Sequence, residues 1–422
     1  MNINHITHAL FSENKQGIKP LELRDGQIVF GKINKLFPHQ MAEVQIGSQK
    51  MIANLAIPLS VDKQYWFQVN MTQEKPILKV LVEPKENNKM NGESLLNHLS
   101  LGETKENRAL IQRVITNQLP VTKEMISMSS QWLTNDATLK KDLGTIQLMI
   151  DRNLPFTFEV FKNLSSVQTK DGITDLLNLL QKALSDSNIK QGELISVLSD
   201  LTNASADFKD GKMSVDNLKQ VFQKIGYSYE TELVNNIFSK EEILLNKEMI
   251  KPLLMELVNS EVPTSIKEVA SQVIEKITGY QLLSQPVGPM MQIITEIPIR
   301  FLNQQVDVTV QYNGRKKEDG KVDSDYCRIL FYLELAHLKE TIIDMHVQNR
   351  VMSITVQNDQ EKKIAPLINS YLEGLKKNLQ EANYTLLSIM TKPLTKKTEN
   401  AKGKYRNMGM DIGLYKGVDI KI

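Results

Sequence analysis

The spacing of apolar positions changes its period twice along the chain. Between residues 26 and 82 it is close to two. Ile28, Phe30 and the positions up to Ile33 alternate with smaller or polar residues, and 41–46, 49–55, 65–71 and 77–82 supply four more short runs. Gly47 and Ser48 form a two-residue hairpin signal between the second and third runs. Five short strands with tight turns predict a small closed barrel of the OB or SH3 type, in a domain spanning 1–84. Such barrels often bind oligonucleotides or peptides. Phe30, Tyr65, Trp66 and Phe67 are the aromatic candidates for that role. Successive strand residues face opposite ways, so at least one of the consecutive Tyr65, Trp66 and Phe67 packs inside. The polar, asparagine-rich run 84–92 reads as a linker.

From about residue 94 to 283 the period is helical. Leu110, Ile111, Val114 and Ile115 make one apolar stripe, and Leu176, Leu177, Leu179, Leu180 and Leu184 another. Val221, Phe222 and Ile225 follow Ser214, a candidate N-cap. Ile266, Val269, Val273, Ile274 and Ile277 form a helix expected to stop at Gly279. The stretch Ile115 to Glu124 echoes Ile150 to Glu159. In both, a helix is expected to end before Leu-Pro, and a threonine (Thr122, Thr157) to cap the next. A weaker echo lies at Val262-Pro263-Thr264. Met125 and Met128 read as core. These features predict helix pairs packed as a bundle across 85–286.

Residues 287–394 mix both periods. Strands are expected at 293–299, 306–312, 328–335, 343–348, 351–356 and 386–390, with a charged loop at 313–324 and a hairpin turn at Asn349 and Arg350. An amphipathic helix over 361–382 carries Ile364, Leu367, Ile368, Tyr371, Leu372, Leu375 and Leu379 on one stripe, with Asn383 as its cap. The whole chain reads as α+β and multidomain: a small N-terminal β-barrel, a mostly helical middle, a C-terminal sheet carrying one long helix, and a tail at 395–422.

Composition narrows the chemistry. Lysine plus arginine number 51 and aspartate plus glutamate 49. That near-balance argues against a dedicated polyanion binder. The notable excess of base is in the tail, with Lys396, Lys397, Lys402, Lys404, Arg406, Lys416 and Lys421 against Glu399, Asp411 and Asp419. A single cysteine, Cys327, excludes an intramolecular disulfide. The six histidines form no metal-ligand spacing. The residues after Ala206 look like a calcium loop but lack carboxylates at the ligand positions. Asp323 and Asp325 lack a third ligand beside them. Gly409, Gly413 and Gly417 lack the apolar host of a membrane helix pair. No P-loop, Gly-x-Gly-x-x-Gly or Gly-x-Ser-x-Gly is present, and no signal peptide is expected from the first 30 residues. No catalytic residue, cofactor, metal or small-molecule substrate is expected.

The run Phe331-Tyr-Leu-Glu-Leu-Ala-His-Leu-Lys-Glu-Thr-Ile-Ile-Asp-Met-His-Val-Gln348, the strand 350–356, the helix ending Leu379-Gln-Glu-Ala-Asn-Tyr384, and 386–390 resemble the C-terminal domain of the flagellar hook-length control proteins. That family shows a Leu-x-Leu-x-x-Leu-Gly strand, a hairpin, a helix ending in Leu-x-x-x-Gly, and a last strand. Leu333, Leu335 and Leu338 match the leucines, and Leu375 and Leu379 match the helix. Lys339 and Asn383 stand where the family has glycine. The resemblance implies a non-enzymatic cytoplasmic protein that contacts the cytoplasmic domain of an export-gate switch protein and alters type III export specificity. It would meet the membrane only through that apparatus. The partner-binding candidates are Leu335, His337, Leu338 and Lys339. The family's extended ruler segment has no counterpart here, with only 14 prolines in the chain. A rival expectation is a nucleic-acid binder using the barrel and the basic tail.

Overall fold

Alternating side chains close the first run of strands on itself. In the computed structural model, described over residues 23–47, 49–72, 76–81, 92–187, 189, 191–203, 206–207, 215–239, 247–284, 286–287, 290–301, 304–317 and 322–394, β1 (Ile28–Phe37), β2 (Met41–Ile46), β3 (Gln49–Leu55), β4 (Gln64–Asn70) and β5 (Ile77–Val80) form a closed barrel. Its strand order is β1-β2-β3-β5-β4. Val29, Ile33, Val44, Ala53, Tyr65, Phe67, Val69 and Leu78 fill the interior. β1 pairs with both β2 and β4, and its register shifts between Ile33 and Lys35. Such a bulge sharpens the bend that closure needs.

Two compact units divide the chain between Phe161 and Lys162, so the helical stretch 85–286 is shared between them. The first unit joins the barrel to α1 (Gly92–His98), α2 (Lys105–Asn117), α3 (Lys123–Trp132) and α4 (Leu139–Asp151). Val121 exchanges two backbone hydrogen bonds with Ile28 and so continues β1's pairing where β2 has ended. The internal echo is a repeated turn. Gln118 and Asn153, 35 positions apart, both have positive φ (54° and 48°) just after a helix. Thr122 and Thr157 then accept hydrogen bonds from the backbone N–H groups of Met125 and Val160. The third echo differs, because Pro263 takes the cap position and Thr264 is already helical. Met128 is exposed rather than core.

The second unit has one core that runs across residue 287. The helices α6 (Ile173–Asp186), α7 (Gly192–Asn203), α8 (Val215–Ile225), α10 (Ile250–Asn259) and α11 (Thr264–Leu283) pack Leu177, Leu180, Leu198, Leu254, Ile266, Val273 and Ile277 against Ile297, Ile299 and Val308 of the sheet. The helices α5 (Phe158–Val167) and α9 (Tyr229–Ser239) complete the series. Gly279 does not stop α11. It lies inside the helix, where a Cβ would overlap the carbonyl oxygen of Asn163 and the side chain of Val167. Helix α6 starts on two strand carboxylates: Glu296 accepts from the N–H of Ile173 at 3.2 Å, and Asp307 from that of Thr174 at 3.3 Å. Negative charge at a helix N-terminus is favourable. Buried Lys276 sits 3.8 Å from Glu296 and donates to the Asp171 carbonyl at 2.5 Å.

The sheet runs β13 (Thr385–Lys392), β12 (Val351–Gln357), β11 (Lys339–Gln348), β10 (Val322–Leu335), β9 (Gln304–Lys316) and β8 (Met290–Phe301), with two-residue strands β6 (Ala206–Asp207) and β7 (Pro286–Val287) beside β8. All pairs among the six long strands are antiparallel except β12 with β13. That parallel pair needs a crossover, which α12 (Glu361–Glu381) supplies. The charged loop is shorter than expected, since β9 continues through Lys316 and β10 starts at Val322. Asn349 and Arg350 both have positive φ, as a two-residue hairpin of this kind needs. On α12, Ile364 is buried, and Leu375 and Leu379 pack on the sheet. Leu367 and Tyr371, expected on the same stripe, are 54% and 75% exposed. The N-cap Ser214, linker residues 84–91, the calcium-like run 208–212 and the tail 395–422 with its spaced glycines lie outside the described residues, while Gly92, expected to end the linker, already begins α1.

Candidate partner-binding site

The four residues singled out by the sequence lie at one turn. Leu335 ends β10, Lys339 begins β11, and the two are direct partners in the ladder. Residues 336–338 make the connection. His337 and Lys339 are exposed, and Leu335 and Leu338 are half-buried. Lys339 has φ 60°, the left-handed conformation that lets so short a turn reverse the chain.

Asn358 holds this turn in place. It lies between β12 and α12 and is 1% exposed. Its Nδ2 donates to the carbonyls of Leu338 at 2.7 Å and Glu340 at 2.9 Å and reaches the Thr341 hydroxyl at 2.8 Å. Its Oδ1 accepts from the Gln360 N–H at 2.7 Å, and its own N–H donates to the Lys392 carbonyl at 3.0 Å. Gln360 Nε2 adds a bond to the His337 carbonyl at 3.1 Å. The turn's backbone is thus fixed to the start of α12 and the end of β13, while the side chains of His337 and Lys339 remain in solvent. Sequence reasoning missed Asn358. The signal was present: an asparagine just ahead of a helix is a capping and turn residue.

The rim of the turn is acidic. Glu334 faces Glu340 across the ladder. Partial burial raises the Glu340 carboxyl above its ordinary value, and the charges of Glu334 and Asp359 raise it further. Lys339 precedes Glu340 in the chain and pairs with Leu335 across the ladder. A protein surface with two half-buried leucines, a histidine, a lysine and a ring of carboxylates can dock a partner; it holds no nucleophile–base pair.

At the opposite end of α12, Asn383 also has positive φ, at 61°. The N–H of Tyr384 bonds back to the Leu379 carbonyl at 2.8 Å, and that of Asn383 to Gln380 at 3.0 Å. This is the left-handed helix ending that glycine usually provides. Ala382 takes the cap position itself. The Arg350 guanidinium lies over the Tyr384 ring and bonds Asp325 at 2.9 Å. Lys317 lies 3.8 Å from Asp323 and 3.6 Å from Asp325, so these carboxylates are paired with cations rather than open to a metal. Among the described residues no group of three or more candidate ligands could hold a metal ion. Cys327 is half-buried, and burial pushes its thiol up to about 11. His346 is not near the turn by pairing; it contacts Asp344 at 3.2 Å, alongside a two-pronged Arg328 contact at 2.9 Å.

The barrel's aromatics are mostly used internally. Tyr65 and Phe67 face the interior. Trp66 faces the other way and pairs with Phe30 at 5.2 Å, yet is only 8% exposed. The outer side of β2 and β3 carries Glu43 and Lys50, 3.8 Å apart, and exposed Ile52. The cavity among α2, α3 and α4 is lined by Leu110, Val114, Ile126, Ile146 and Phe156, with Arg113 its one charged side chain. No helix among the described residues is long and apolar enough to cross a membrane.

Residues 6–79 match the family model of the TP0910 S1-like domain. A stretch of 141 residues is 36% identical to the uncharacterized protein YlqG of Bacillus subtilis (strain 168), covering 33% of this chain and 24% of that protein. The chain therefore matches about a quarter of that relative's length. No solved structure matches the chain.

Proposed function

We propose that this chain is a non-catalytic interaction protein similar to the flagellar hook-length control proteins. Its C-terminal sheet and helix bind the cytoplasmic domain of an export-gate switch protein and influence type III export specificity. The observation that carries the reading is conformational. Lys339 and Asn383 occupy the two motif positions where that family has glycine, and both adopt positive φ. Only about a few per cent of non-glycine residues do so. The backbone here makes the demand that the family's glycines would meet, at both sites. The contact surface is the clamped turn with Leu335, His337, Leu338 and Lys339. The test is a titration of the full chain against the purified cytoplasmic domain of such a switch protein. Binding that is lost in Leu338→Glu, with circular dichroism and melting unchanged, supports the reading. Absence of binding by the unaltered chain overturns it.

A second reading, nucleic-acid binding by the barrel, is favoured by the S1-like match and by the strand order. Barrels of this kind use the face of strands 2 and 3 for oligonucleotides. That face here lacks an exposed aromatic platform, which weighs against strong stacking. An oligonucleotide titration at two salt concentrations separates the readings, since phosphate-driven binding falls steeply with salt.

A further inference from the structure

Strand β13 is the outer strand of the sheet among the described residues, paired on one side with β12. An edge strand turns alternate N–H and C=O groups outward, and proteins protect such edges with charges, prolines, bulges or a covering segment. The sequence of β13, Thr-Leu-Leu-Ser-Ile-Met-Thr-Lys, has no charge before Lys392, and Pro393 lies just past its end. The register shifts around Leu387, which is 72% exposed, so the bulge blunts the first part only. Beyond it, residues 388–392 pair regularly with β12, and Met390 is 48% exposed. Tyr371 and Leu367 are exposed on α12, which packs on β13. The unit thus leaves an apolar edge that its own local sequence does not guard.

We propose that this edge accepts one further strand, and that the strand is this chain's own C-terminal run Val418-Asp-Ile-Lys-Ile422. Its pattern is strictly alternating, with Val418, Ile420 and Ile422 on one side and Asp419 and Lys421 on the other. It matches the regular stretch 388–392 in length. The chain leaves the sheet at the end of β13 itself. Residues 393–417 give a connection that spans roughly 80 Å when extended at ~3.3 Å per residue, well over the ~26 Å of an eight-residue strand. The run can therefore return along the edge in either direction. Tethering also gives it a high effective concentration over any free strand. Added there, its apolar side chains extend the surface around Met390, and the outward backbone groups of β13 gain partners. The proposal is independent of the export-gate reading, and a failed partner titration leaves it untouched.

The test is hydrogen exchange on the full chain, on a chain ending at Gly417, and on full-length Ile420→Pro, each at two concentrations. The expected result is that amides within 388–392 exchange at least tenfold faster in both variants than in the full chain. Amides of the interior strands β10 and β11 should not change. Equal exchange in all three proteins overturns the proposal, and includes the case in which the edge is open to a partner's strand. Protection that falls on dilution, together with a shift from dimer to monomer on gel filtration, also overturns it and assigns the edge to a second copy.

Discussion

The side-chain amide of Asn358 donates to the main-chain carbonyl of Leu338 at 2.7 Å, across 20 residues of sequence. This bond joins the candidate turn to the segment that launches α12. Truncation in Asn358→Ala leaves the Leu338 and Glu340 carbonyls without their donor in a buried place. A loss of about 1–3 kcal/mol is expected, read as a lower urea midpoint with unchanged slope. Asn358→Asp should be no better, because it sets a carboxylate against two carbonyls and beside Asp359. An unshifted midpoint in the alanine variant would show that the clamp contributes nothing.

Lys276 and Glu296 are both fully buried and lie 3.8 Å apart. Removing one charge strands the other. Glu296→Gln keeps an acceptor for the Ile173 N–H but leaves Lys276 without its counter-charge, and Lys276→Met strands the glutamate. Each single change should cost about 3–5 kcal/mol. The double variant should recover most of that, since neither charge is then left alone. Thermal unfolding of the four proteins in a double-mutant cycle gives the coupling directly. Additive losses would contradict this account.

Burial by itself would raise the Asp344 carboxyl. The hydrogen bonds from His346 and Arg328, and their charges, outweigh it and bring the carboxyl down to about 2. A carboxyl depressed in the folded state adds stability above its unfolded value and loses it as pH falls through the folded one. The contribution is about 2 kcal/mol, present at pH above about 4 and lost between about pH 4 and 2. In Asp344→Asn this part of the acid dependence should vanish. Urea midpoints measured at pH 5, 4 and 3 for both proteins check it, and parallel curves would refute it.

Two glycines should respond in opposite directions. At Gly279 a methyl group meets the Asn163 carbonyl and Val167, so Gly279→Ala should destabilise by about 1–3 kcal/mol, and more if the helices cannot part. At Gly374, inside α12, a methyl group meets nothing within 4 Å. There the helix propensity of alanine should add about 1 kcal/mol. Melting temperatures of the two variants decide the matter by sign alone.

Much of the architecture was legible because local pattern and tertiary demand agree. The period-two runs became the barrel strands, and Asn349 and Arg350 sit where a tight hairpin needs positive φ. The Leu-Pro-x-Thr echo was readable since its turn and cap are local hydrogen bonds. What failed was set by distant partners. Gly279 looked like a helix stop, but its lack of a side chain serves contact with Asn163 more than a hundred positions earlier in the chain. Leu367 and Tyr371 fit the helical period of α12, yet they are exposed, while Leu375 and Leu379 pack on the sheet. At the candidate turn the four residues were found together, as expected from their adjacency. Asn358, which positions them, was not, because its acceptors come from another strand.

The left-handed residues permit a last prediction. A non-glycine side chain in this region costs roughly 1–2 kcal/mol, less for asparagine, whose short polar side chain tolerates it. Lys339→Gly should therefore stabilise the protein by about 1 kcal/mol, offset in part by the greater freedom that glycine gives the unfolded chain. Asn383→Gly should gain less. Lys339→Ala should gain nothing, for alanine meets the same steric conflict as lysine. The order Lys339→Gly above Asn383→Gly above Lys339→Ala in urea midpoint follows from backbone conformation alone. Should Lys339→Gly also retain binding to the export-gate domain, the lysine is present for reasons other than contact, and the turn's backbone with Leu335 and Leu338 carries the interface. Should it lose binding while gaining stability, the exposed Lys339 side chain makes the contact itself.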